Sequence, residues 1–424
     1  MPSFSIPLTG LEADSKALNT IANNLANMNT TAFKSQKAQF SNLFYQQIGS
    51  SGSGNPVQIG AGTTVSSTRT DFTQGTISST GSSTDVAIDG GGFFVLNNNG
   101  SNLYTRAGSF SLASNGNLIN DSGMSVMGYP ANAGVVDTNA PLSPTNIPKG
   151  QVQQPKATGS FGFTANLDAS AAVNSTFPAQ VTLYDSLGTA HNATITYTKT
   201  ATNTWGYSVA MPDSDFASGT CAAIKGVLNF DSFGNLKTFD PGSGPITVNN
   251  SSPVNSSIPV KFTGLADGGA DLSMQWNLLG SAGSPSIQQV DQDSAVNSRS
   301  QDGYASGQYQ DFSINSGGDV EVSFSNGRKL VVGRIALASI PNEQGLQALG
   351  NGAFSTTLAS GTASVGIPGS GGLGSLQDSA LEGSNVNISA EFSNLIIAQR
   401  AFQANSKAVT TFDSVTQDTI AMIR

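Results

Sequence analysis

The chain has 424 residues, of which 27 are acidic and 18 basic, giving a net charge of −9 with only 11% charged side chains. With no run of Lys or Arg, nucleic acid and anionic membrane surfaces are excluded as partners, and no apolar stretch reaches the length of a membrane-spanning helix. One cysteine, Cys221, rules out an internal disulfide, and one histidine, His191, rules out a His-rich metal centre or an HExxH protease.

The first predicted element is a helix over residues 9–28. Leu11, Leu18 and Leu25 recur every seven residues, with Ile21 and Met28 filling the intervening turns. That is a narrow apolar stripe, closer to a coiled-coil seam than to a globular core face. Thr9 and Glu12 have the spacing of a capping box, which places the helix start at Thr9. No basic-then-apolar layout of a cleavable signal peptide precedes it, so export, if any, uses another route.

Residues 30–45 read as a bent extension of this helix, with Asn27–Thr31 as the hinge. Gly49–Pro56 is a flexible loop by composition. From Val57 the pattern turns to short strands bounded by Gly, Asn or Asp, the clearest at 73–77, 85–89, 93–96, 104–110, 116–119 and 126–129. A Pro-rich crossing at 141–150 marks a domain boundary. A second β region follows, with strands at 180–184, 193–197, 205–209, 226–230 and 259–262. Asp185-Ser-Leu-Gly188 forms a hairpin loop there. From about residue 286 the style of the first β region resumes, at 309–314, 320–324 and 330–337, and Ser325-Asn-Gly-Arg328 is the strongest hairpin turn. Asn385–Ser389 then offers cap residues for a final helix. In it Leu395, Phe402, Val409 and Ile423 keep the seven-residue spacing, flanked by Phe392, Ile396, Phe412 and Ile420.

A stripe this narrow needs a partner, and in a β-rich chain each terminal helix has the other. Either the two form an appendage on their own domain or neighbouring copies complete the seam. Helices enclosing a polar β middle suit a self-assembling tube. The fold class is therefore mainly β with paired terminal helices and nested domains. Residues 1–32 with 385–424 form the helical domain and 33–70 an extended linker. Residues 71–150 with 285–384 form a two-piece β domain, and 151–284 an inserted outer β domain.

No motif supplies chemistry. Asp89-Gly-Gly-Gly-Phe93 lacks the Lys and helix start of a phosphate loop and reads as a tight turn. Asp267–Asp271 and Asp291–Asp293 lack EF-hand ligand spacing and read as solvated turns. His191, leading into an alternating strand, reads as a surface or pairing residue rather than a base. Arg106 and Arg400 read as ordinary surface ion pairs or subunit contacts. No pair of carboxylates can be nominated for sugar hydrolysis. The expectation is no catalytic residue, no cofactor, no metal and no small-molecule substrate.

Longer motifs are specific. Leu18-Asn-Thr-Ile-Ala-Asn-Asn-Leu-Ala-Asn-Met-Asn-Thr-Thr-Ala-Phe-Lys34 resembles the N-terminal signature of the bacterial flagellar rod and hook axial family, whose common form has Gly at the place of Ala32. Thr84–Phe94 and Tyr104-Thr-Arg-Ala-Gly-Ser-Phe110 resemble that family's first β domain. Leu381-Glu-Gly-Ser-Asn-Val-Asn387 and Ala398-Gln-Arg-Ala-Phe-Gln-Ala-Asn-Ser-Lys407 resemble its C-terminal signature. Leu183–Gly188 with His191 and Trp205 resemble the inserted domain of hook proteins, which distal rod proteins typically lack, and Gln301–Gly307 and Phe324-Ser-Asn-Gly327 also fit the hook pattern. The resemblance implies a self-assembling subunit of the curved hook tube, a flexible joint between rod and filament. The rod alternative would form a straight tube. It also implies export by the flagellar type III apparatus, contacts with rod, hook–filament junction and hook-cap proteins, and terminal helices that order only on assembly.

Overall fold

The computed structural model describes residues 5–50, 56–240, 246–247, 257–279 and 285–422. The chain divides into two compact units. One comprises 1–149, 311–323 and 329–424, the other 150–310 with 324–328. The class is as expected, mainly β with a helix near each terminus.

In the first unit, helix α1 spans Ser5–Ala26 and helix α2 spans Ile388–Met422. α1 thus begins before the expected capping box. Pro7 sits in its first turn, where a missing N–H costs nothing. The Thr9 hydroxyl donates back to the Ile6 carbonyl at 2.7 Å, and Glu12 pairs with Lys16 at 2.9 Å. α2 is capped as expected, the Asn387 side chain accepting from the Ala390 amide at 3.1 Å.

α1 ends in a turn at Ala32, a buried residue held at φ +54°, whose amide donates to the Glu382 carbonyl at 2.8 Å. A left-handed alanine is strained, which explains glycine at this place in the similar signature. Ala32→Gly is expected to melt no lower than the parent. Ala32→Val, β-branched at positive φ, should cost about 2 kcal/mol and lower the melting temperature by several degrees. Calorimetry of both variants checks this.

Residues 33–70 are extended, but as paired strands rather than as a bent helix and a loop. Gln36–Asn42 pairs antiparallel with Thr63–Thr70, and Tyr45–Ser50 with Pro56–Gly60. The tip of the expected flexible loop, 51–55, lies outside the described residues. Strands from Val57 onward were expected; the lack of an apolar alternation hid the two before it.

The β part of this unit draws on both chain ends. Ile77–Ser79 pairs with Ala380–Glu382, and Val86–Asp89 with Ser375–Asp378. The main sheet joins Lys329–Ile335, Ser125–Asn132, Phe93–Asn98, Ser101–Thr105 and Ala353–Ser355 in that order. Its core gathers Phe93, Val95, Tyr104, Met127, Ala338 and Ile340. Gly108 is forced by proximity, since a Cβ there would lie 1.6 Å from the Val86 carbonyl oxygen.

In the second unit two sheets share one core. One orders Thr176–Tyr184, Ala190–Ala201, Thr204–Ala210, Ile224–Phe230 and Leu236–Asp240, all antiparallel. The other sets Ser160–Asp168 beside Leu272–Asn277, Ile287–Val290 and Ala295–Gln301. Trp276 lies against Phe161 and Tyr207 at ring distances of 6.1 and 5.2 Å. Because the last two strands pair with Ser160–Asp168, this unit runs on to Gln310 instead of ending near 284. The expected hairpin loops Asp185–Gly188 and Ser325–Arg328 both form, each with its glycine left-handed, Gly188 at φ +85° and Gly327 at +75°.

Candidate functional site

α1 and α2 pack antiparallel. Gly10 and Asp14 meet Asn405, whose side-chain amide donates to Asp14 Oδ2 at 2.8 Å, while Asn24 meets Glu391 at 3.3 Å. The buried residues are small or polar, namely Pro7, Gly10, Ala13, Ala17 and Asn24 on α1, Glu391 and Ala398 on α2. A Cβ on Gly10 would lie 2.7 Å from Asn405 Nδ2, so the close approach requires a seam of this kind.

The heptad side chains therefore flank the seam rather than fill it. Leu11, Leu18, Ile21 and Leu25 are half-buried, as are Leu395, Phe402, Val409 and Phe412. Met28, Phe392 and Ile420 are exposed at 40%, 52% and 61%, and Ile423 lies outside the described residues. Ile396 and Ile397 are exposed as well. A groove of about 380 Å³ runs between the helices and the strand Gln36–Asn42, lined in part by Ala17, Ile21, Phe40, Ile397 and Ala401. The pair thus leaves much of its apolar surface uncovered.

A polar anchor fixes the base of this pair, and the sequence reading missed it. Glu382 is fully buried. Its Oε1 accepts from Lys34 Nζ at 2.6 Å and from the Gly75 amide at 2.8 Å, and its Oε2 from Arg106 Nε at 3.1 Å. Lys34 also donates to the Thr73 carbonyl at 2.8 Å, and Arg106 to the Gly90 and Gly92 carbonyls, each at 2.8 Å. Burial lowers the Lys34 pKa, and its hydrogen bond to Glu382 opposes that shift. Arg106 is accordingly a buried intrachain partner, not the surface or subunit-contact residue expected, while Arg400 is exposed. Around the triad Asn385 spans three segments, accepting from the Ser35 amide at 2.8 Å and donating to the Asp71 and Thr73 carbonyls. The Asn24 side-chain amide clasps the Gln36 backbone, donating to its carbonyl at 2.7 Å and accepting from its N–H at 2.9 Å. Lys34, Arg106, Glu382, Asn385 and Asn24 all belong to the recurrent motifs, which converge here on one point.

In the second unit His191 is buried and paired, its Nδ1 2.9 Å from Asp215 Oδ2. Asp267 is not a free solvated turn residue, because its carboxylate faces the same ring.

Four family models match in sequence along the chain. They are a flagella basal body rod protein model at residues 7–34, a flagellar hook protein FlgE/F/G D1 domain at 87–166, a flagellar basal body protein FlaE D2 domain at 146–304, and a flagellar basal body rod FlgEFG C-terminal model at 377–422. Terminal helices, a two-piece β domain and an inserted β domain in this order define an axial component of the bacterial flagellum. The flagellar hook protein FlgE of Salmonella typhimurium is 33% identical over 428 residues, covering 97% of this chain and 98% of its own. That of Treponema pallidum is 31% identical over 462 residues and covers all of both chains. The crystal structure of Helicobacter pylori flagellar hook protein FlgE2 shares the fold, with a TM-score of 0.55 and 16% identity over 72% of this chain and 100% of that one. The chain belongs to the flagellar hook protein family and is a structural component of the hook.

Proposed function

We propose that the subunit polymerises head to tail through its terminal helices into the curved tube of the hook, the joint that passes torque from rod to filament. The observation that carries this reading is the row of large apolar side chains left half-covered beside the α1–α2 seam. An antiparallel pair that buries alanine and glycine while leaving Leu11, Leu18, Ile21, Leu25, Met28, Phe392, Leu395, Phe402, Val409, Phe412 and Ile420 partly in water is incomplete. Copies of the same chain complete it, and Ile423 keeps the seven-residue spacing in the sequence. In this reading residues 1–32 with 385–424 line the inner tube, the β domain of 71–150 with 285–384 surrounds it, and the inserted domain faces outward. The role is structural and not enzymatic. Low charge and many small polar residues on the outer domain suit contacts that are remade as the tube bends.

The same reading takes the subunit out through the flagellar type III apparatus without a cleaved signal. It sets rod, junction and cap proteins at the ends of the tube. The free monomer keeps its helices unformed until neighbours offset their ordering entropy. Electron microscopy of polymer grown from concentrated purified protein tests it. Short curved tubes are the expected product. Straight stiff tubes would move the chain to the rod class, and monomers at every concentration would end the assembly reading.

A further inference from the structure

We propose that the second unit holds one divalent transition-metal ion of the Zn²⁺ class, bound by His191 Nε2, Asp185 Oδ2 and Asp267 Oδ2. The three donor atoms lie within 4.8 Å of one another, and Nε2 is 3.8 Å from each carboxylate oxygen. They come from three segments, namely the hairpin loop after Thr176–Tyr184, the strand Ala190–Ala201 and the loop at 265–271.

Two of these atoms have no other occupation. His191 is the single histidine of the chain, and its side chain is 5% exposed. Its Nδ1 lies 2.9 Å from Asp215 Oδ2, which fixes the tautomer that donates from Nδ1 and directs the Nε2 lone pair into the cluster. Nε2 itself is buried with no hydrogen-bond partner among the described residues. Asp185 is fully buried. Its Oδ1 accepts the Leu187 and Thr189 amides at 2.9 and 2.7 Å, while Oδ2 is buried and also has no partner. A buried polar atom without a partner costs free energy, and two aimed at one point call for a shared ligand. At 3.8 Å the ring and carboxylates are too far apart to hydrogen-bond directly.

The spacing suits a cation. Tetrahedral Zn²⁺ at about 2.1 Å from each donor sets those donors about 3.4 Å apart, so Nε2 and each carboxylate oxygen, now 3.8 Å apart, need close by only a few tenths of an ångström to share the ion. One imidazole and two carboxylates disfavour Ca²⁺ and Mg²⁺, which take oxygen alone, and Cu⁺, which takes thiolate. The Asp215 contact is the outer-shell support that metal-binding imidazoles carry. The Asp267 side chain, 26% exposed, leaves the ion a way in. Gly269 keeps the loop close, since a Cβ there would fall 2.4 Å from Asp185 Oδ2. The ion would staple three segments of the unit and leave a fourth position for water.

The test uses untagged full-length protein stripped with chelator and titrated with Zn²⁺ alone. Calorimetric titration should show one equivalent bound, and absorption spectroscopy a shell of one imidazole nitrogen with oxygens. At an excess about a hundred-fold over Kd the second unit should melt roughly 5–10 °C higher. Asp267→Asn, in a partly exposed loop, should keep the fold and lose both the bound equivalent and the melting shift. Asp215→Asn should weaken binding about 10–100-fold. Absence of bound Zn²⁺ in the folded parent, or an equivalent retained by Asp267→Asn, overturns the proposal. Neither result bears on the assembly reading.

Discussion

Glu382→Ala is expected to cost the first unit about 3–5 kcal/mol and to lower its melting temperature by roughly 10 °C or more. The carboxylate is fully buried between Lys34 and Arg106, whose side chains are 2% and 6% exposed. Removing it strands two cations in an interior where water cannot reach them, and an unpaired buried charge is among the most expensive defects a core can hold. The Gly75 amide loses its acceptor in the same step. Removing all three charges together should hurt less than the single change, because the cations left behind are the larger part of the cost. A cycle comparing Glu382→Leu, Lys34→Met with Arg106→Met, and the triple variant by calorimetry should therefore be strongly non-additive. Arg400→Ala, on the exposed face of α2, is the control and should shift stability by less than about 0.5 kcal/mol. A Glu382→Ala protein as stable as that control would mean the anchor does not hold the base of the helices.

The triad also marks the boundary of what the sequence reveals. Strands with alternating apolar residues, such as those around Val181, Ile195 and Val209, were legible because burial on one face imposes a period of two. The helices were legible from their heptads, and the nesting of the domains from the return of one strand style after another. Arg106 was misread because an isolated basic residue in a polar stretch looks the same whether it meets water or a glutamate 276 positions away. Pairing across such a distance is a property of the fold, not of any window. The signal available was that Lys34, Arg106 and Glu382 each sit inside a longer recurrent motif. For the same reason His191 was read as a lone residue, although Asp185, Asp215 and Asp267 converge on it only after three loops have closed. The strands Gln36–Asn42 and Tyr45–Ser50 escaped because they pair without burying an alternating apolar face. The heptad stripe was legible, but the contact between the two helices was not, since leucine spacing dominates the pattern while Gly10, Ala13, Ala17 and Ala398 are the residues buried there.

That division between seam and flank yields a pair of substitutions with opposite logic. Gly10 meets Asn405 and Asn24 meets Glu391, a register that sets Ala17 opposite Ala398, both buried. Ala17→Leu adds three carbons to a seam that has no room, at about 1–3 kcal/mol. It should raise the concentration needed for polymerisation by up to about 100-fold. Ala398→Gly, by vacating the facing position, should recover most of that loss. Leu18→Asp acts on the flank instead. In the proposed tube Leu18 is covered by a neighbouring copy, and a carboxylate there must be stripped of water without a partner, which costs more than about 3 kcal/mol and should abolish polymer at any practical concentration. Ala398→Gly should not rescue it, because the fault lies between subunits and not within the pair. In both variants the second unit should melt as in the parent. Sedimentation of polymer across a concentration series reads all four proteins. Rescue of both variants by Ala398→Gly would place Leu18 in the intrachain seam. Normal polymerisation of Leu18→Asp would leave the apolar stripe facing solvent in the assembled tube and remove it from the assembly surface.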